Sequence, residues 1–212
     1  MIHTWAADIT PLFQEECLRK YYLEAPEFRR KKADMLKHRQ GKAQSIGVWA
    51  LYAKMKEYFG LDGRETYNFS HSGDYVLCSV HTTGDLSALQ PLVGCDVEKI
   101  QKCRTGLAKR FFCESEYRCI EEEEGEKQQE VFTRYWVLKE SFIKAVRKGM
   151  SLPLDSFEIC LGNPAELVRQ PGEFQEKFYY MESELGDGTY RVAVCSTDRK
   201  IDADVRLIQL RV

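Results

Sequence analysis

The sequence predicts an α+β fold of two similar halves, each a helix packed on a mostly antiparallel sheet, with the functional site at their interface. One observation is that a helix-length periodic stretch followed by strand-like runs occurs twice along the 212 residues. Another is that two late strand-like runs flank Gly-Asp-Gly at 186–188, as in an antiparallel hairpin. We place the boundary near residue 93, which gives an N-terminal half of 1–93 and a C-terminal half of 94–212.

The N-terminal half begins with a helical pattern from Pro26 to Phe59. Its first part is basic, and Gly60 is suited to ending the helix. The later part places four apolar residues on one stripe: Val48, Tyr52, Met55 and Phe59. The segment 68–74 is typical of a turn, and it leads into a predicted strand over 75–80.

The C-terminal half follows a polar loop from His81 to Gln90, to which no role is assigned, and a short predicted strand over 92–97. Residues 102–120 have a helical pattern, and 121–130 is expected to be a mobile acidic connector. Residues 131–148 form the clearest helix, with a buried stripe made of Tyr135, Leu138, Phe142 and Val146. Four strand-like runs then follow, over 157–161, 178–182, 191–195 and 206–212.

The composition excludes several classes of protein. A hydrophobic fraction of 43% and a charged fraction of 30% are ordinary for a globular chain. The formal charge of −2 and the lack of a Lys/Arg block argue against a nucleic-acid partner. No two of the eight cysteines form a C-x-x-C pair, and no apolar run reaches the roughly 18–20 residues that span a bilayer. Since a signal-peptide pattern is also missing, we expect a reduced, cytoplasmic protein without a membrane partner.

Two carboxylates lie at the end of the predicted strand over 92–97. Asp96 and Glu98 are two residues apart, so both side chains point to the same side of a strand. Two acids held together repel unless a cation joins them, and Mg²⁺ that also binds phosphate oxygens is the usual solution. The alternative is a strand end with solvated acids, which is the commoner meaning of Asp-x-Glu alone.

The clearest helix carries a second charged group. Glu140 and Lys144 are i,i+4 neighbours, and Trp136 lies one turn before Glu140 on the same side. Such a pair is usually a solvated salt bridge worth about 0.3–0.5 kcal/mol. Its functional version is a third carboxylate for the metal, with a lysine beside it that holds a phosphate.

The Ser70-His71-Ser72 segment supplies a third group. A histidine between polar residues can donate a hydrogen bond to a phosphate, while hydroxyl and backbone groups orient it. An incidental histidine on the surface is the alternative, and the segment alone does not decide between them.

Taken in order, these segments resemble the signatures of the 4′-phosphopantetheinyl transferases. The three matching segments are Asn68-Phe69-Ser70-His71-Ser72, Gly94-Cys95-Asp96-Val97-Glu98 and Trp136 to Lys144 (WVLKESFIK). Further matches lie at Arg110-Phe111-Phe112, Glu116-Tyr117 and Lys148 to Leu154. The surfactin-synthetase-activating type, a monomer of two similar halves, is the most similar subgroup. The resemblance is strong from Asn68 to about Ile159.

The resemblance implies transfer of phosphopantetheine from coenzyme A to a serine of an apo acyl or peptidyl carrier protein, which releases 3′,5′-ADP. It implies that Asp96, Glu98 and Glu140 hold Mg²⁺, and that Glu140, directly or through a water, takes the serine proton. Lys144 would pair with the phosphates, and Lys31 with the 3′-phosphate. The coenzyme A ligands implied are Lys31, Lys42, Ser70, His71, Asp96, Glu140 and Lys144.

The sequence departs from the family pattern in the first half. The Gly-Lys-Pro segment usual before Ser-His-Ser is missing, because only residues 61–67 separate the first long helix from Asn68, and Arg64 is the available substitute. Lys42 is the basic residue nearest to the place of the family's first-helix arginine. Two other functions stay open: a coenzyme A-binding protein without transferase activity, and an unrelated Mg²⁺-dependent phosphohydrolase. Retention of all three acidic residues argues against the first.

The segment after Glu98 is the expected docking surface for the carrier protein. Carrier proteins are acidic around the modified serine, so the surface should combine positive charge with apolar side chains. The basic candidates are Lys99, Lys102, Arg104, Lys109 and Arg110, beside Leu107, Phe111, Phe112 and Tyr117. At least one of the two phenylalanines is expected in the core.

Overall fold

The computed structural model of the protein describes residues 1–82, 90–102 and 105–211. The α-helices of these residues are α1 (Glu15–Glu24), α2 (Glu27–Asp34), α3 (Arg39–Phe59), α4 (Thr105–Phe111), α5 (Glu114–Glu121) and α6 (Gly125–Ala145). The strands are β1 (Ile2–Asp8), β2 (Tyr67–Ser72), β3 (Tyr75–His81), β4 (Val93–Lys99), β5 (Glu158–Cys160), β6 (Glu166–Arg169), β7 (Tyr179–Leu185), β8 (Tyr190–Ser196) and β9 (Ile201–Gln209).

The first sheet has the strand order β2-β3-β1-β9. The central strand β1 pairs antiparallel with β3 and parallel with β9, so the last strand joins the sheet of the first half. Helix α3 packs on this sheet through buried Val48, Tyr52 and Met55, as predicted, with Phe59 partly buried. Gly60 ends the helix in the left-handed conformation, which a residue without a Cβ adopts at little cost.

The second sheet has the order β4-β8-β7 and is antiparallel throughout. Helix α6 packs on β4 and β8, and the predicted stripe of Tyr135, Leu138, Phe142 and Val146 is buried there. Gly186, Asp187 and Gly188 all have positive φ and join β7 to β8, which confirms the predicted hairpin. Strands β5 and β6 form a separate antiparallel pair.

Several predicted elements were wrong in kind or extent. Residues 68–72 belong to strand β2 rather than to a turn, because their polar side chains face another strand; only Gly73-Asp74 turns the chain into β3. The expected connector over 121–130 is largely helical, since α6 begins at Gly125 with an exposed polar first turn. The expected helix over 102–120 is divided into α4 and α5, because Glu116 caps α5 at the backbone N–H of Cys113. Residues 83–89 of the predicted loop and Arg104 lie outside the described residues.

The predicted class is confirmed: the fold is α+β, with mostly antiparallel sheets. The division at residue 93 stays a prediction. Within the described ranges, no helix combines the length and the apolar character that crossing a membrane requires.

Candidate functional site

The candidate site lies where polar side chains of β2 meet the outer edge of β4. Strand β4 bonds to β8 along its other edge, so alternate N–H groups of β4 point away from its own sheet. Side-chain oxygens of β2 accept hydrogen bonds from these N–H groups. The pairs are Cys95 N with Asn68 Oδ1 (3.2 Å), Val97 N with Ser70 Oγ (3.3 Å) and Lys99 N with Ser72 Oγ (3.2 Å).

Asp96 lies at the centre of the site and is only 3% exposed. Its Oδ1 atom accepts hydrogen bonds from Ser70 Oγ and Lys144 Nζ, each at 2.7 Å. Its Oδ2 atom is buried without a hydrogen-bond partner. A buried carboxylate oxygen with no donor is costly unless it has another ligand. Asp96 therefore has a coordination position that the described protein atoms do not use.

Glu98 and Glu140 are half-buried, and the charge of Asp96 acts on both. Ser72 Oγ donates a 2.7 Å hydrogen bond to Glu98 Oε2. Loss of hydration raises the pKa of both glutamates, and the negative charge of Asp96 raises both further, against the opposing effect of Lys144. The site therefore concentrates more negative charge than Lys144 alone neutralises.

Lys144 connects α6 to both sheets. Its Nζ atom donates to Asp96 Oδ1, to Ser70 Oγ at 3.0 Å and to the carbonyl oxygen of Cys95 at 3.2 Å. Burial lowers its pKa, but Asp96 outweighs that effect, so the pKa of Lys144 is raised and the side chain stays charged. Close approach of α6 to β4 makes these bonds possible, because a Cβ at Gly94 would overlap the carbonyl of Ser141.

The other predicted phosphate ligands lie outside the bonded cluster and differ in exposure and in their partners. His71 is exposed on β2, and its pKa is lowered by partial loss of hydration, then by the positive charge of Lys144 and, more weakly, of Lys32. Lys31 is exposed and pairs with Glu27 at 2.7 Å. Arg64 pairs with Asp62 on the surface. Lys42 is half-buried on α3. Thus Ser70, Asp96 and Lys144 form one bonded cluster with Glu98 and Glu140 beside it, whereas Lys31 and Arg64 make other pairs.

The donor set suits a hard divalent cation in its chemistry. Among the described residues, no three His, Cys, Asp or Glu side chains are grouped closely enough to hold a metal ion as they stand, and the Lys144 ammonium group pairs with Asp96 at 2.7 Å. Asp96 Oδ2 has no hydrogen-bond partner among the described atoms. Beyond the effect of burial, the negative charge of Asp96 raises the pKa of both Glu98 and Glu140, which places all three acids near one another. Carboxylate oxygens such as these are the ligands that Mg²⁺ prefers. These residues fit a magnesium ion, and Asp96, Glu98 and Glu140 are the side chains that would hold it.

A cleft of about 190 Å³ opens beside Glu98. Trp136 and Phe132 of α6 give it an apolar wall, and Lys99 and Lys102 contribute positive charge. Leu107 also lines it. Of the two phenylalanines in the predicted docking segment, Phe112 is in the core at 5% exposed, as expected of at least one, and Phe111 is 40% exposed.

Sequence reasoning missed the contributions of Asn68 and Ser72. Both are predicted to lie in a turn, although Asn-x-Ser-x-Ser has the period of two that puts alternate side chains on one face of a strand. That period was the available signal. The lowering of the His71 pKa by the charge of Lys32 could not be predicted from the sequence, because it depends on the position of α2 relative to β2.

A model of the 4′-phosphopantetheinyl transferase superfamily matches residues 92–195, which include Asp96, Glu98, Glu140 and Lys144. The chain is 33% identical over 142 residues, or 67% of its length, to 4′-phosphopantetheinyl transferase Sfp of Bacillus subtilis (strain 168). It is 32% identical over 130 residues, or 61% of its length, to 4′-phosphopantetheinyl transferase gsp of Aneurinibacillus migulanus.

These alignments cover 59% and 51% of the relatives' own lengths, so the chain spans between half and three fifths of each. A solved holo-[acyl-carrier-protein] synthase of Thermotoga maritima superposes with a TM-score of 0.42 at 22% identity, over 49% of this chain and 61% of that one. So weak a structural likeness carries no argument about this chain.

Proposed function

The chain belongs to the 4′-phosphopantetheinyl transferase superfamily, and from that premise we propose that it transfers 4′-phosphopantetheine from coenzyme A to a carrier-protein serine. The products would be holo-carrier protein and 3′,5′-ADP. The observation that carries the proposal is the bonded cluster of Ser70, Asp96 and Lys144, with Glu98 and Glu140 beside it. Four of these five residues lie in the segment that matches the family model.

The reaction needs negative charge to be stabilised on the phosphoryl oxygens. The serine hydroxyl of the carrier attacks the β-phosphorus of coenzyme A, and 3′,5′-ADP leaves with the electron pair of the broken P–O bond. Lys144 stays charged beside Asp96, so its ammonium group can pair with the phosphates. His71, exposed next to the cluster, is placed to donate to a phosphate as well.

A base must take the proton of the attacking serine. Glu140 is half-buried, and its pKa is raised by loss of hydration and by Asp96. A carboxylate of raised pKa is a better proton acceptor than an ordinary one, whether it acts directly or through a water. Mg²⁺ held by Asp96, Glu98 and Glu140 would neutralise part of the negative charge on the phosphates.

The partner would be an apo acyl or peptidyl carrier protein, and fatty-acid, polyketide and peptide-synthesis carriers all fit. The cleft beside Glu98 supports docking there, because Lys99 and Lys102 line it together with Trp136 and Phe132. We further propose that the protein acts as a cytoplasmic monomer.

The test is to incubate the protein with coenzyme A, MgCl₂ and a panel of apo-carrier proteins, and then to measure carrier masses. A carrier that gains one phosphopantetheine, with EDTA abolishing the gain, is the expected result. The same carriers with the serine changed to alanine are the matched control. Binding of coenzyme A without any mass gain across the panel would instead favour the alternative of a coenzyme A-binding protein.

A further inference from the structure

The two serines of β2 make the same pair of hydrogen bonds, two residues apart. Ser70 Oγ donates to the Asp96 carboxylate at 2.7 Å and accepts from the N–H of Val97 at 3.3 Å. Ser72 Oγ donates to the Glu98 carboxylate at 2.7 Å and accepts from the N–H of Lys99 at 3.2 Å. Each hydroxyl therefore joins a carboxylate of β4 to the backbone N–H that follows it.

Strand geometry explains the repeat. Alternate residues of a strand share one face, so Ser-x-Ser on β2 keeps the same spacing as Asp-x-Glu on β4. Both serines are separated from their carboxylate partner by 26 positions and from their N–H partner by 27. The two motifs thus lie in one register.

The N–H bonds hold the serines in place. A buried strand edge whose N–H groups have no acceptor is costly, and the hydroxyls of β2 satisfy these groups on β4. A hydroxyl that accepts from a backbone N–H still has its one proton to donate, and each serine donates it to the neighbouring carboxylate. The serine then limits the rotamers of the acid.

Ser70 makes one contact that Ser72 lacks. Its hydroxyl donates to Asp96 and accepts from both Val97 N–H and Lys144 Nζ. Ser70 therefore also connects Lys144 to the carboxylate that it orients.

We propose that Ser70 and Ser72 are positioning residues, which orient Asp96 and Glu98 for a divalent cation. This inference rests on the proposed function, because the cation belongs to that function. Groups that hydrogen-bond to metal-ligating carboxylates fix the direction of the ligand atoms, and their loss weakens metal binding.

Ser72 gives the cleaner test, since Ser70 also contacts Lys144. The experiment is an EPR titration of Mn²⁺ into the full chain saturated with coenzyme A, without carrier protein. Ser72→Ala should weaken Mn²⁺ binding by about tenfold. Ser72→Thr keeps the hydroxyl and should recover most of the affinity. Ser115→Ala is the matched control, because Ser115 also donates to a glutamate, Glu158, but outside the site.

A double-mutant comparison tests whether Ser72 acts through Glu98. In a Glu98→Gln background, Ser72→Ala should cause little further loss of Mn²⁺ affinity, because the carboxylate that it orients is gone. If the alanine variant does not fold, Ser72→Cys replaces it in the experiment, because a thiol is only a weak hydrogen-bond donor. The Mn²⁺ affinity of Ser72→Cys should lie below that of Ser72→Thr.

The KM for coenzyme A separates positioning from nucleotide binding. Measured at saturating Mg²⁺, it should be unchanged in Ser72→Ala, while the Mg²⁺ concentration for half-maximal transfer rises. Wild-type Mn²⁺ affinity in Ser72→Ala, or a raised KM for coenzyme A with Mn²⁺ affinity unchanged, would overturn the inference and leave the transferase function standing. A wild-type chain that transfers phosphopantetheine but binds no Mn²⁺ would overturn it as well.

Discussion

Asp96 has two carboxylate oxygens in different surroundings. Oδ1 is bonded to Ser70 and Lys144, whereas Oδ2 has no partner. We expect Asp96→Ala to abolish phosphopantetheine transfer, because the proposed metal loses the ligand at the centre of the site. The thermal midpoint should change little, because the substitution also removes the repulsion of Asp96 with Glu98 and Glu140. Lys144 keeps its bonds to Ser70 Oγ and to the carbonyl oxygen of Cys95.

Transfer rate and thermal unfolding of Asp96→Ala, measured in parallel, check this expectation. Asp62→Ala is the control, since Asp62 pairs with Arg64 on the surface and has no proposed role in the reaction. Transfer at the wild-type rate by Asp96→Ala in limiting Mg²⁺ would contradict the metal site.

Lys31 tests the nucleotide assignment. Lys31 pairs with Glu27, and both side chains are exposed to solvent. Because exposed ion pairs contribute little free energy, a phosphate can replace the glutamate. Dephospho-coenzyme A, which lacks the 3′-phosphate, should bind wild type more weakly than coenzyme A does. The difference should shrink in Lys31→Ala and remain in Lys144→Ala.

Lys32→Ala is the matched control for Lys31→Ala, because Lys32 is the adjacent exposed lysine and its charge reaches His71. Calorimetric titration with both nucleotides gives the comparison. A difference that shrinks only in Lys32→Ala would move the 3′-phosphate to that residue.

At the scale of elements, the contact between α6 and β4 determines the distance between Lys144 and Asp96. Gly94 has no side chain where Ser141 and Ala145 of α6 cross it, and an added Cβ would overlap their backbone atoms. We expect Gly94→Ala to push α6 away, to lower the unfolding free energy by about 1–3 kcal/mol and to reduce transfer. Urea unfolding and the transfer assay measure the two effects.

Gly106→Ala is the control for Gly94→Ala, because an added Cβ at Gly106 meets nothing within 4 Å. A Gly94→Ala variant with wild-type stability and transfer would show that α6 can shift without consequence for the site.

The elements also show what the sequence could predict. Helix α6 was recognised because its apolar stripe has the helical period and is buried on one side only. Strand β2 is predicted as a turn because Asn68, Ser70 and Ser72 are polar, and polar runs are typical of turns. Their side chains accept hydrogen bonds from N–H groups of β4, and the sequence does not show that β4 lies against them.

Strand β1 was missed for a related reason. It lies in the middle of the sheet, between β3 and β9, so it shows no alternation of apolar and polar residues that a pattern could detect. Of the site, the acids and Lys144 could be selected from motifs, but their hydrogen-bond partners could not, since these come from strands distant in sequence.

At the scale of the molecule, segments before and after residue 93 contact each other at more than one place. The side-chain bonds between β2 and β4 form one junction, and the pairing of β9 with β1 forms another. A third lies where His81, at the end of β3, meets Asp198, just after β8, at 3.5 Å. The N-terminal ammonium group of Met1 also pairs with Asp198 at 3.0 Å.

His81 makes this third junction sensitive to pH. It is 7% exposed, and burial lowers its pKa below the ordinary 6.5; the Met1 ammonium lowers it too, while Gln90 and Asp198 act in the opposite direction. Between 6.5 and the lower folded pKa, the unfolded chain binds a proton that the folded chain does not. The contribution of His81 to stability is therefore constant above pH 6.5 and falls as the pH drops through that window.

We expect the unfolding free energy of wild type to decrease as the pH falls from 7.5 to 5.5, and His81→Gln to remove part of that decrease. The pKa of Asp198 lies below its ordinary 3.8, so the carboxylate stays charged throughout this range and does not contribute to the slope. Urea unfolding at several pH values checks the expectation, with His38→Gln as the control because His38 is exposed on the surface. Equal slopes in wild type and His81→Gln would mean that the folded chain protonates His81 as readily as the unfolded chain does, and that the contact between His81 and Asp198 carries no pH dependence.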